Sequence, residues 1–445
     1  MDLYPSQDTA ANECCFEPRL LLADVGAGKT AAALTMIYRR AINHHKPGRT
    51  LVLGTKRICD MVWGAEVEVW VAGYRYESAA GKSPDERRRI MTDRDIDIVG
   101  LNYENVAWAV KEFDSELCNL FQNLIMDESS KLENPASKTF RAIAPLLHLF
   151  QWRLPMTASP RANYLHDIWG SVYLADLGER LGKYKQAFLQ EFFFPVDLHG
   201  RLSWRPKHDA EARIYELIKD IVHRMPFEWH PPVEQDVILK LEPVVKKINH
   251  QIDDLIEDEE FVTIDGVTYA RYGSRVHAKM LQLSSGHVYS DDGGYKCLHH
   301  AKYEALEEIV AEARGEPMMV VYMFDHERDQ ILARFPQAKL LEGNDVLRDW
   351  NDGKIEILVV HPNSCGHGLN AQLCQCDLQV WLSPPMGDAE KYSQTVGRLN
   401  RPGNPKTVRV IRLIMQGTKD RASYMVIAAR QRGENVTLES FENDD

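Results

Sequence analysis

One stretch constrains this chain more than any other: Leu20-Leu21-Leu22-Ala23-Asp24-Val25-Gly26-Ala27-Gly28-Lys29-Thr30. An apolar run suited to a buried strand leads into a loop of small residues, and an alanine-rich helical pattern begins at Ala31. A Walker A loop cradles phosphates in this strand, loop and helix context. Gly26 and Gly28 let backbone N–H groups turn inward at the positive end of the following helix. Lys29 adds a point charge for the phosphates, and the Thr30 hydroxyl is a ligand for Mg²⁺. Ala23 stands where such loops usually carry their first glycine. The stretch predicts ATP as ligand, held by Asp24, Gly26, Ala27, Gly28, Lys29 and Thr30.

A phosphate loop of this kind needs a parallel sheet behind it, and the pattern supplies one. Short apolar runs alternate with longer helical patterns through the first 175 residues, at 20–23, 50–54, 96–101, 123–126 and 152–156. The alternation returns at 318–324, 339–341, 355–360, 378–382 and 408–414. The expected fold class is α/β: two parallel-sheet lobes with a helical insertion between them, and the Walker A loop resembles that of the P-loop NTPase fold, which implies that the lobes are RecA-like. We expect an N-terminal ATP-binding lobe over 1–183, helical insertion and linker over 184–302, a C-terminal lobe over 303–433 and an acidic tail over 434–445. Within the insertion, 233–241 alternates like a strand and 243–255 reads as a helix.

A loop alone does not hydrolyse ATP; a carboxylate beside the metal and a group to orient water are also required. Leu124-Ile125-Met126-Asp127-Glu128 places both at the end of an apolar strand. Asp127 is the expected second metal ligand and Glu128 the residue that polarises water. The third component is Gln394-Thr395-Val396-Gly397-Arg398-Leu399-Asn400-Arg401, whose spacing of three sets both guanidinium groups on one helical face. Lying in the second lobe, Arg398 and Arg401 would reach the γ-phosphate only when the lobes close, which makes hydrolysis conditional on closure.

These elements, in this order, resemble superfamily 2 helicases, and in particular the Snf-type DNA translocases in their compact phage-encoded form. Leu3-Tyr4-Pro5-Ser6-Gln7 is similar to the family's adenine-reading motif, with Gln7 as its glutamine. Asp127-Glu128-Ser129-Ser130-Lys131-Leu132-Glu133-Asn134, followed by Ser137-Lys138, resembles the extended motif II, with Ser129-Ser130 replacing the usual Ala-His. Thr157-Ala158-Ser159-Pro160 resembles motif III, which implies that Thr157 and Ser159 couple nucleotide state to lobe movement. Ser364-Cys365-Gly366-His367-Gly368-Leu369-Asn370 resembles motif V. The resemblance adds Gly368 and Gln394 to the nucleotide set, and Lys56, Asn102, Tyr103, Ser364 and His367 as nucleic-acid contacts. Trp63 and Trp70, beside Lys56, read as core packing. Ser285 to Tyr289 and His300-Ala301-Lys302 also resemble the phage-type proteins.

Composition sets the limits on partners. The 445 residues carry a formal net charge of -12, against the basic footprint of a simple nucleic-acid binder. A motor must release its track each cycle, so a local basic cleft suffices. Arg87 to Arg89, and Arg201, Arg205 and Lys207, are the candidate patches. No apolar run approaches a membrane span and no secretory signal opens the chain, so we expect no membrane partner and a cytoplasmic protein, in the bacterial host if phage-encoded. The eight cysteines show no paired metal-ligand spacing and read as buried thiols. Phe192 to Phe194 read as a buried cluster or as a group that stacks on bases.

The expected activity is an ATP-dependent motor on double-stranded DNA, with Mg²⁺ as cofactor and replication, recombination or packaging proteins as possible partners. Two other classes share these features: an RNA helicase, and a nucleotide-gated scaffold subunit of a nucleic-acid-processing assembly.

Overall fold

The computed structural model describes residues 3–24, 26–43, 48–158, 165–198, 201–226, 230–248, 261–264, 267–270, 274–365, 370–401, 403–432 and 436. They fall into two compact units, Met1–Glu228 and Trp229–Asp445.

The first unit contains strands β1 (Leu20–Ala23), β2 (Thr50–Gly54), β3 (Tyr76–Ser78), β4 (Ile98–Asn102), β5 (Asn123–Asp127), β6 (Trp152–Thr157), β7 (Phe193–Leu198), β8 (Arg201–Pro206) and β9 (Val222–Met225). Seven of them form a sheet in the order β3-β4-β2-β5-β6-β1-β9, and its strand pairs are parallel. Every residue of β1, β2, β4, β5 and β6 is buried. Helices cover both faces of such a sheet, so its strands read as continuous apolar runs. That is why the periodicity found them.

The second unit contains β10 (Val233–Leu239), β11 (Phe261–Ile264), β12 (Val267–Ala270), β13 (His287–Tyr289), β14 (Tyr295–Cys297), β15 (Met318–Val321), β16 (Ala338–Leu340), β17 (Ile357–Val360), β18 (Leu378–Trp381) and β19 (Arg409–Met415). A six-stranded sheet runs β10-β19-β18-β15-β17-β16, again through parallel pairs. The α/β class expected from the alternation is therefore present twice.

The stretch 184–302 carries the helices Lys185–Phe192, Ala210–Ile218 and Ser274–Ser285, and strands as well. β7 and β8 form an antiparallel hairpin, β9 is an edge strand of the first sheet, and β10 is an edge strand of the second. Two further hairpins, β11–β12 and β13–β14, follow. The expected helix at 243–255 is helical over 243–248, and its remainder lies outside the described residues. So does the acidic tail, apart from Val436. The Phe192 to Phe194 cluster divides: Phe192 and Phe193 are buried, whereas Phe194 is 54% exposed. No helix among the described residues is long and apolar enough to cross a membrane.

Candidate nucleotide site

In a parallel sheet all strands end on the same side, and ligands bind beyond their carboxyl ends. β6 lies between β1 and β5, with Leu22 of β1 in register with Thr157, and Asp127 of β5 in register with Met156. The phosphate loop, Thr157 and the Asp127-Glu128 pair therefore share one sheet edge. Asn102 ends β4 and Lys56 follows β2 on the same edge.

The loop has the conformation its composition demands. Gly26 (φ 86°) and Gly28 (φ 77°) occupy the left-handed region that other residues avoid. The helix Lys29–Asn43 starts directly after them, which leaves its first N–H groups facing the loop. Lys29 and Thr30 are half-buried and Asp24 is exposed.

Gln7 is 4% exposed within the helix Pro5–Cys14. Its amide donates to the Ala27 carbonyl (2.9 Å) and accepts from the Tyr4 N–H (2.9 Å). A Cβ placed on Gly28 would collide with that amide. Gly28 thus serves both the left-handed turn and the close approach of Gln7. Arg39 fastens the two helices together, bonding the Asp8 carboxylate and the Asn12 amide.

The acidic pair is held rigidly. Asp127 and Glu128 are 5% and 3% exposed. The Trp63 indole N–H donates to Asp127 Oδ2 (3.0 Å), and the Tyr103 hydroxyl donates to the Asp127 carbonyl (2.7 Å). Burial, then the charges of Asp127 and Glu128, push the Tyr103 phenol well above its ordinary range, so it stays a donor. Glu128 turns out of β5 in the left-handed conformation (φ 63°). A strained non-glycine residue of this kind costs about 1–3 kcal/mol and persists where its surroundings hold it. Ser130, at one of the two positions departing from the motif II pattern, lies 3.4 Å from Glu128 Oε1 and donates to it.

These contacts change several expectations. Trp63 is buried but does more than pack, because its N–H orients the carboxylate expected to bind Mg²⁺. Tyr103, expected to contact nucleic acid, is turned inward beneath the acidic pair and is 7% exposed. Asn102 is likewise buried, paired with Glu104 and Asn105. Lys56 is exposed at the sheet edge. Thr157 is buried at the end of β6, and Ser159 lies outside the described residues.

The basic run Arg87 to Arg89 is not an open patch. Arg87 lies over the Trp108 ring (4.2 Å), Arg88 pairs with Asp85 and Glu112, and Arg89 pairs with Glu77. Lys207 donates to the Gln190 and Glu191 carbonyls, and the Arg201 side chain lies outside the described residues.

In the second unit the helix Ala389–Val396 leads to the two arginines. Arg398 is 4% exposed. Arg401 donates to the Gly397 carbonyl (2.9 Å) and to Asn370 Oδ1 (2.8 Å). Burial and the neighbouring Arg398 push its pKa down to about 9, which leaves it a cation at pH 7. Asn370 is the last residue of the segment that resembles motif V. Its side chain is what positions Arg401. Gln394, expected at the nucleotide, is 8% exposed and donates to Glu390 one turn back (2.9 Å). Ser364 is half-buried, and His367 and Gly368 lie outside the described residues.

The donor set fits a metal–nucleotide: an N–H-lined turn, a lysine, a hydroxyl and a buried carboxylate share one edge. Thr30 and Asp127 are the residues that would hold Mg²⁺, whose chemistry is to neutralise charge developing on the phosphates.

Residues 12–252 match the model of the SNF2-related domain. Protein p41 of Acyrthosiphon pisum secondary endosymbiont phage 1 is 30% identical over 421 residues, covering 89% of each chain. An ATP-dependent helicase of Mycoplasma pneumoniae is 20% identical over 440 residues, which are 94% of this chain and 40% of that protein. Among solved structures, the Hef helicase domain of Pyrococcus furiosus superposes with a TM-score of 0.55 at 13% identity, covering 96% of this chain and 97% of that one.

Proposed function

This chain belongs to the SNF2-related family and is a helicase-type ATPase, and from that premise we propose that its ATP turnover drives movement along duplex DNA. The observation that carries the ATPase half is the shared sheet edge, where the phosphate loop faces Asp127 and Glu128 across β6. Lys29 and the loop N–H groups bind the phosphates, and Gln7 reads the base. Asp127, oriented by Trp63, would hold the metal together with Thr30. Glu128 accepts a proton from the attacking water, its left-handed turn presenting the carboxylate beyond the strand end.

Arg398 and Arg401, which belong to the other unit, supply positive charge to the phosphate being transferred. Residues in this role contribute about 10³ to 10⁵ in rate in other phosphoryl-transfer enzymes. The similarity of the extended motif II to that of Snf-type translocases favours duplex DNA as the track.

The test is ATP turnover by the full chain with duplex DNA, single-stranded DNA or RNA, at a series of salt concentrations. Duplex DNA should stimulate most, and stimulation should decline as salt rises, because phosphate contacts release counterions. Greatest stimulation by RNA would move the reading to an RNA helicase. Equal turnover with and without every nucleic acid would favour the nucleotide-gated scaffold.

A further inference from the structure

Far along the chain from the nucleotide residues, the β13–β14 hairpin brings three metal-ligating side chains together. His287 of β13 and Cys297 of β14 are direct cross-strand partners. His300 immediately precedes the helix Ala301–Ala313. One ring nitrogen from each histidine and the Cys297 sulfur lie within 4.8 Å of one another, and Cys297 Sγ is 3.5 Å from His300 Nε2. In a tetrahedral zinc site, bonds of about 2.0–2.3 Å set neighbouring donors roughly 3.3–3.8 Å apart. One pair already has that spacing, and closing the others takes about 1 Å of movement. Cys297 and His300 are exposed and have room to move.

From this geometry we propose that His287, Cys297 and His300 bind Zn²⁺. Two imidazoles and a thiolate suit this borderline-soft ion and not the hard Mg²⁺ of the nucleotide site. The Cys297 thiol loses its proton to solvent as the sulfur–zinc bond forms, and no electron is transferred. Water takes the fourth position.

Two features of the surroundings support the site. The Tyr303 hydroxyl lies 3.5 Å from His287 Nδ1, leaving Nε2 to face an ion. The buried His326 ring stacks on His287 with centroids 5.5 Å apart, and neither of its nitrogens has a hydrogen-bond partner among the described residues. Leaving buried polar groups unpaired is costly.

The ion would staple the hairpin to the start of the helix that carries Lys302. That lysine is fully buried, 2.7 Å from Asp420 and donating to the Leu382 carbonyl at the end of β18 (2.7 Å). The site is thus structural, tying a peripheral hairpin to the second sheet, and does not depend on the proposed DNA motor activity.

The experiment uses the full chain, chelator-treated and free of nucleotide, titrated with Zn²⁺ by calorimetry and with Co²⁺ by absorption. We expect a high-affinity ion and a thiolate-to-cobalt band in the near ultraviolet. Cys297→Ser should remove that band, and both Cys297→Ser and His300→Ala should weaken Zn²⁺ binding at least about 100-fold. Cys374→Ser, outside the cluster, should retain the band and the affinity. Thermal melts of each apo variant check that it is folded. Absence of Zn²⁺ binding to the wild type, a band that survives Cys297→Ser, or unchanged affinity in folded His300→Ala would overturn the proposal.

Discussion

The Trp63–Asp127 bond offers a severe test of how the metal carboxylate is prepared. Trp63→Phe keeps a ring in the core and deletes the indole N–H that donates to Asp127 Oδ2 at 3.0 Å. A hydrogen bond to a charged group contributes about 1.5–3 kcal/mol, and the smaller ring adds about 1 kcal/mol for lost packing. Denaturant unfolding of the nucleotide-free protein should therefore show a loss of about 3 kcal/mol. The more diagnostic effect is on metal use. A carboxylate no longer held in one rotamer must be ordered when the ion binds, at about 1 kcal/mol, which is about fivefold in affinity. Half-saturating Mg²⁺ in the ATPase assay should rise by about that factor, with turnover recovering at high Mg²⁺. If stability falls while the Mg²⁺ midpoint stays unchanged, Trp63 is only a packing residue and the reasoning fails.

Two other perturbations separate function from folding. Arg401→Ala should reduce ATP turnover at least about 10³-fold while nucleotide affinity, measured by a fluorescent analogue, stays near wild type. Asn370→Ala, which removes the 2.8 Å anchor on Arg401, should reduce turnover by a smaller factor in the same assay. Lys302→Met would leave the Asp420 carboxylate buried without its cation, and a loss of about 3–5 kcal/mol in denaturant unfolding is expected.

The sheet strands were legible because their residues are buried on both faces. β3 and β9 were not: Tyr76–Ser78 and Val222–Met225 are edge strands only partly buried, so no apolar run marks them. The β7–β8 hairpin was hidden by the Phe192 to Phe194 run, whose first residue ends a helix and whose other two begin β7, and by Pro195 within the strand. At the nucleotide site, Gly26, Gly28, Lys29 and Thr30 could be read because the chemistry demands those types in adjacent positions. Trp63, Tyr103 and Asn370 could not, because each acts through a contact made across the sequence: Trp63 and Asp127 are 64 residues apart. The His287, Cys297 and His300 cluster is hidden in the sequence for a different reason. Cys297-x-x-His300 holds no Cys–Cys pair, and only strand pairing adds His287.

If hydrolysis at Lys29 and Glu128 moves the protein along duplex DNA, displacement of a third strand from a triplex measures that movement directly. With ATP and Mg²⁺, the wild-type chain should strip the triplex-forming strand, while Lys29→Ala and Glu128→Gln should leave it in place. A wild-type protein that hydrolyses ATP on the same triplex substrate, yet never displaces the strand, would contradict the claim.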